Sequence, residues 1–107
     1  MSEVSKKFKV FSNRTRLRIL NLLKLSPMYV NFLSEVMKIY QSKLSHQLLI
    51  LKQAKLVKAK KKGKVVTYSL HITNEYKTLF KLVSKSFLTE KVFIKDIEKA
   101  KKKLKRL

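Results

Sequence analysis

The chain has no cysteine, no tryptophan, one glycine and one proline among its 107 residues, and only six aspartates and glutamates. Without thiols there is no disulfide framework and no soft-metal thiolate site. A single glycine cannot build the phosphate-cradling loops of nucleotide-binding folds. With so little turn material, helices should dominate. Six acids and two histidines assemble no nucleophile–base–orienter set at a suggestive spacing, so an enzyme is not expected, nor is a cofactor. Apolar runs extend over only a few residues, far short of the roughly 20 that cross a bilayer. The N-terminus has no apolar core of secretory type. A cytoplasmic chain without a membrane partner is expected.

Positive charge is abundant. Twenty-seven lysines and arginines give a formal net charge of +21. Lysine outnumbers arginine by 23 to 4, which fits either an A+T-rich genome or a hot-growing host. Self-repulsion on this scale opposes compaction and points to a polyanionic partner. Yet 45% of the residues are hydrophobic, enough for a core and too many for a disordered basic tail. The length suits one domain with an appended helix. Between Glu35 and Glu75 there is no acid at all, while nine lysines occur.

Periodicity organises the rest. Residues 3–11 place Val4, Phe8 and Phe11 on one helical face. Ser12-Asn13 can cap a second helix over 14–25, which is apolar over much of its girth and should form the centre of the core. Ser26-Pro27 ends it. A short third helix over 30–38 buries Val30, Leu33 and Met37, and a three-residue turn leads to a fourth over 41–54. There Leu44, Leu48, Leu51 and Ile50 face inward, while Gln41, Ser42, Ser45, His46 and Lys52 are left outside. Two short helices joined this way form the helix-turn-helix pattern. Two β-prone runs flank the loop around Gly63 and read as a hairpin wing. A fifth helix over 74–87 carries Tyr76, Leu79, Phe80, Val83 and Phe87 on one stripe. In the last segment, 89–107, Phe93, Ile97, Ala100, Leu104 and Leu107 make a narrow coiled-coil-like seam on a basic helix. The expected fold is mainly α with a small β-hairpin wing, a winged helix-turn-helix (α-α-α-α-β-β-α) plus a C-terminal helix. Residues 1–88 would form the DNA-binding and dimerisation domain, and 89–107 a basic amphipathic helix.

Three stretches in order resemble the ArsR-type (ArsR/SmtB-like) winged-helix regulators: FKVFSNRTRLRILNLL at 8–23, QSKLSHQLLILKQAKLV at 41–57 and KGKVVTYSL at 62–70. The resemblance implies a homodimer whose recognition helices enter successive major grooves of double-stranded DNA. It also implies that the first and fifth helices form the dimer interface, here through Val4, Phe8, Phe11, Leu79, Val83 and Phe87. There are departures. Where the family's metal sensors carry a Cys-x-Cys pair, this chain has Tyr29 and Asn31, and its fifth helix has no histidine. Lys38 stands where the turn commonly has glycine, and Arg14 where proline is frequent. No metal is expected.

On the recognition helix, Gln41, Ser42, Ser45 and His46 have the donors and acceptors to reach base edges. Tyr40, Lys43 and Lys52 are placed to meet the phosphate backbone, as are Lys60, Lys61, Lys62 and Lys64 on the wing, which can also enter an adjacent minor groove. Tyr68 either joins them or packs beneath the wing. His71 and Glu75 could approach one ion, but two ligands make a poor site, and an ordinary surface histidine is the better reading. The basic C-terminal helix is expected to support the dimer and add charge near DNA, with a membrane-surface role a weaker option. The function expected is sequence-specific transcriptional regulation, as a repressor. The alternative is a nucleoid-associated architectural protein that coats DNA with low sequence specificity; a third is an interaction module whose tail helix recruits another protein.

Overall fold

The computed structural model describes residues 2–106, so Leu107 of the expected seam lies outside the described residues. Helix α1, Glu3–Val10, starts at Ser2, whose side-chain oxygen accepts the Ser5 N–H at 3.1 Å. Helix α2, Arg14–Leu25, is capped by Asn13, which accepts the Arg16 N–H at 3.0 Å. A two-residue strand β1, Met28–Tyr29, leads into α3, Val30–Met37, and then α4, Gln41–Gln53. Strands β2, Val57–Lys62, and β3, Val65–Leu70, form the hairpin. Helix α5, Asn74–Ser84, tightens into a 3-10 turn, Lys85–Leu88, before α6, Lys91–Lys105. Strand order is β1-β3-β2, antiparallel throughout. The mainly helical winged architecture expected from the sequence is present, with β1 as an added strand.

Ile19, Leu20 and Leu22 of α2 have no solvent exposure, which places this helix at the centre of the core. Leu33, Leu44, Leu48, Leu51 and Leu56 close around it. Each such side chain, fully buried, contributes about 1.5–3 kcal/mol of hydrophobic stabilisation. The hairpin turns through Gly63-Lys64, between the paired Lys62 and Val65. Gly63 has φ of +63°, a left-handed value that costs glycine little and that suits a two-residue hairpin loop.

Helix α6 does not stand apart. Phe93, Asp96 and Ala100 are buried, and the helix packs on α2 and α3. Phe93 packs against Phe87 with ring centroids 4.8 Å apart and planes inclined at 58°. Arg18 of α2 donates from Nε to Asp96 Oδ2 at 2.7 Å and from a terminal nitrogen to Oδ1 at 2.9 Å, a two-pronged pair. The same guanidinium reaches the Met37 carbonyl, and Asn21 donates to the Phe93 carbonyl at 3.0 Å. The bonds to Asp96 raise the Arg18 pKa above its ordinary value against the opposing pull of desolvation.

Two apolar faces read from periodicity are covered, wholly or in part, within the chain. Of the expected seam, Phe93 and Ala100 are buried in the subunit and Ile97 and Leu104 are half-buried against its core, so α6 packs as part of the same core. Phe11 and Phe87, expected at a dimer interface, are likewise buried within the chain, packed with Tyr76 and Phe80. Periodicity reveals that a face is buried but not what covers it.

Removing the carboxylate of Asp96, which is 1% exposed, leaves the Arg18 guanidinium without its counter-charge. Asp96→Ala should therefore lower unfolding free energy by about 3–5 kcal/mol in urea titration. A loss under about 1 kcal/mol would mean that α6 is not part of the cooperative core.

Candidate nucleic-acid interface

The turn between α3 and α4 decides where α4 points. Lys38 adopts φ 56° and ψ 47°, and its N–H closes the helix end on the Ser34 carbonyl at 2.8 Å. For a residue with a Cβ this left-handed conformation costs roughly 1–2 kcal/mol, the reason glycine is common there. The Ser34 hydroxyl donates to the Ile39 carbonyl at 2.7 Å and holds the turn closed.

Leu44, Leu48 and Leu51 then bury one side of α4 completely. The other side exposes Gln41, Ser42, Lys43, Ser45 and His46 in the first two turns. Lys52 lies on the same face as Gln41 and Ser45, roughly 16 Å beyond Gln41 along the axis at 1.5 Å per residue. Tyr40, just ahead of the helix, is 85% exposed and leaves α4 without a side-chain cap. At its far end α4 closes in a Schellman arrangement: Leu56 N–H bonds the Leu51 carbonyl at 3.0 Å, and Lys55 N–H bonds that of Lys52 at 2.9 Å. Lys55 takes the left-handed position, φ 63°, that glycine usually fills.

A buried arginine fixes the rotation of α4. Arg16 donates to the carbonyls of Lys9 and Val10, at 3.1 and 2.9 Å, and to Gln47 Oε1 at 2.8 Å. Desolvation lowers its pKa below the ordinary value. One guanidinium thus ties the end of α1 to the middle of α4. Sequence reasoning misses this link; its only local sign is an arginine set among the leucines of α2.

The wing completes the surface. Residues 60–65, which include Lys60, Lys61, Lys62 and Lys64, are all exposed, so the hairpin tip projects from the body. Among the described residues none of these lysines, nor Lys43 or Lys52, has a carboxylate partner. A groove of about 340 Å³ joins wing to helices; Ser45, Asn31, Tyr29, Lys64 and Tyr68 line it. Tyr68 is half-buried beneath the wing. His71, also half-buried, follows β3 directly, and Glu75 pairs with Lys7 at 3.7 Å. Of the expected base-facing and phosphate-facing residues, Ser45 and Lys64 are thus brought to one groove, and the others are exposed on α4, just ahead of it or on the wing. The shape and chemistry of this surface suit a duplex groove edged by phosphates.

The family model described as "Bacterial regulatory protein, arsR family" matches residues 13–59. Over 66 residues the chain is 41% identical to the transcriptional repressor SdpR of Bacillus subtilis, spanning 62% of this chain and 73% of that protein. Among solved structures, HlyU from Vibrio cholerae is similar at 30% identity and a TM-score of 0.69, covering 83% of this chain and 100% of that one. A homodimeric winged helix-turn-helix DNA-binding domain from Mycobacterium bovis is similar at 28% identity and a TM-score of 0.66, covering 78% of this chain and 76% of that one. The chain, with its recognition-type helix and lysine-bearing wing turned outward, belongs to the arsR family of bacterial regulatory proteins and is a DNA-binding transcription regulator.

Proposed function

We propose that the chain acts as a homodimeric, sequence-specific repressor that works without the family's cysteine metal site. The observation that carries this reading is the division of α4 into a fully buried leucine seam and an exposed face of Gln41, Ser42, Ser45 and His46. Base contacts from that face would select the site, while Tyr40, Lys43, Lys52 and the wing lysines Lys60, Lys61, Lys62 and Lys64 grip phosphates. Half-sites about one helical turn apart, roughly 10 bp, would match a two-fold dimer.

The apolar surface left open by the subunit supports pairing. Val4 and Phe8 on α1 are 62% and 58% exposed, Leu82 on α5 is 62% exposed, and Leu88 is 80% exposed. Leu79 and Val83 are half-buried beside them, with Phe11 and Phe87 supporting from below. Burying such a stripe against its own copy is the ordinary outcome for an isologous dimer. At the third-helix positions of the family's thiolate ligands, Tyr29 ends β1 and Asn31 lies in the first turn of α3; neither side chain offers a soft donor.

The charge of +21 favours a second reading, an architectural protein that coats DNA. Titration onto a duplex selected from a random pool, and onto unselected DNA at the same salt, separates the two. The repressor reading expects a preference of about a thousandfold or more, and the coating reading a ratio near one. Ser45→Ala with His46→Ala, both exposed and so harmless to folding, should erase most of that preference while leaving affinity for unselected DNA within about threefold. Equal losses on both DNAs would contradict the assignment of these side chains to base edges. Leu82→Glu should convert the dimer to monomers in sedimentation equilibrium, because a carboxylate would be buried at the centre of the apolar stripe. An unchanged mass would place the interface elsewhere.

A further inference from the structure

We propose that one stripe of α6 is a second phosphate-gripping surface, which extends the DNA footprint past the helix-turn-helix and wing. The inference rests on the DNA-binding reading above and assigns α6 a part in it. Lys95, Lys99, Lys102 and Arg106 follow one another at intervals of four, three and four residues, so they line a single face of α6. All four are exposed, and among the described residues none is paired with a carboxylate. Two of the acids nearby are engaged, Asp96 by Arg18 and Glu35 of α3 by Lys103; Glu98 borders the stripe, three residues after Lys95 and four before Lys102, and among the described residues makes no ion pair with it. The stripe is roughly 16 Å long at 1.5 Å per residue, enough to meet several phosphates of one strand, which recur every roughly 3.4 Å along the duplex axis.

Its placement joins it to the recognition surface. Ser45 of α4 shares a groove with Asn31 at the start of α3. The next residue, Phe32, carries the Lys103 ammonium 5.6 Å above its ring. A second groove, one turn further along α3, is lined by Glu35, Lys99, Lys102, Lys103 and Arg106. Helix α3 thus lines both grooves, and joins the one that holds Ser45 to the one that holds the stripe. The Arg18–Asp96 pair and the Phe87–Phe93 contact anchor α6 to the core, so the helix that carries the cations is in place before binding. A row of unpaired cations beside a DNA-facing surface fits the phosphates that flank the recognised site.

The test neutralises Lys95, Lys99, Lys102 and Arg106 to Gln in the full chain. Binding is measured across a salt series on a selected duplex, with and without about 8 bp of flanking sequence. The salt slope should flatten by about 0.9 for each phosphate no longer neutralised, so by roughly 2–4 per protomer. The gain that wild type draws from the flanks should vanish, and the preferred sequence should stay the same. A slope and flank gain equal to those of wild type would overturn the inference and leave the regulator reading standing. Wild type without site preference, but with the slope still flattened in the variant, would support the stripe and overturn the regulator reading. Loss of binding to anionic phospholipid vesicles with the DNA slope unchanged would overturn it in favour of a membrane surface.

Discussion

Everything that makes this chain a reader of DNA depends on one seam. Leu44, Leu48 and Leu51 are sunk without exposure against α2 and α3, and that burial fixes which side of α4 faces outward. A helix rotated by one residue, about 100°, would bury Ser45 or expose a leucine, so hydrophobic free energy sets the azimuth of the side chains proposed to face bases. The Arg16–Gln47 hydrogen bond and the left-handed Lys38 add directional constraints at the middle and the start of the same helix. Specificity in such a domain is therefore a packing property before it is a hydrogen-bonding one.

Charge sets the second constraint. A formal +21 on a compact chain is tolerated because nearly all the cations lie outside the core, among them those on the wing, along α6 and around α4; Arg16 is buried and Arg18 largely so. The buried polar groups are few and, apart from the Thr73 hydroxyl, answered. Arg18 has Asp96, Arg16 has two carbonyls and Gln47, and Asn21 has the Phe93 carbonyl. Separating a close-packed, mostly apolar interior from a cationic shell lets the subunit fold while remaining poised for a polyanion, whose binding relieves the repulsion.

Much of the fold is legible because it is written in local periodicity. The girdle of leucines on α2, the seam of α4 and the β-branched run of β3 each announce themselves within a dozen residues. Helix ends are legible too, through Asn13 and Pro27, as is the hairpin turn through Gly63. Strand β1 is not, since two residues carry no period, and its existence depends on pairing with β3 about 40 residues away. The ties Arg18–Asp96 and Arg16–Gln47 join positions 78 and 31 residues apart and leave no local trace. The stripes of α5 and α6 are visible, but whether a second chain or the same one covers them is not. Hence Phe11, Phe87 and the α6 seam point toward an interface in sequence, whereas they build the subunit core in the fold. The candidate DNA surface is easier to read, because a polar face opposite a leucine seam has few other uses in an acid-free stretch of chain.

The most direct measurement is the set of intermolecular NOEs in a complex of the labelled protein with its selected duplex. Cross-peaks from the Ser45 and His46 side chains to major-groove protons, such as thymine methyls, are expected, with amide shifts along α4 and the wing. A complex in which those side chains give no NOE to any base, while shifts gather only on the lysine-rich surfaces, would contradict the role given to α4.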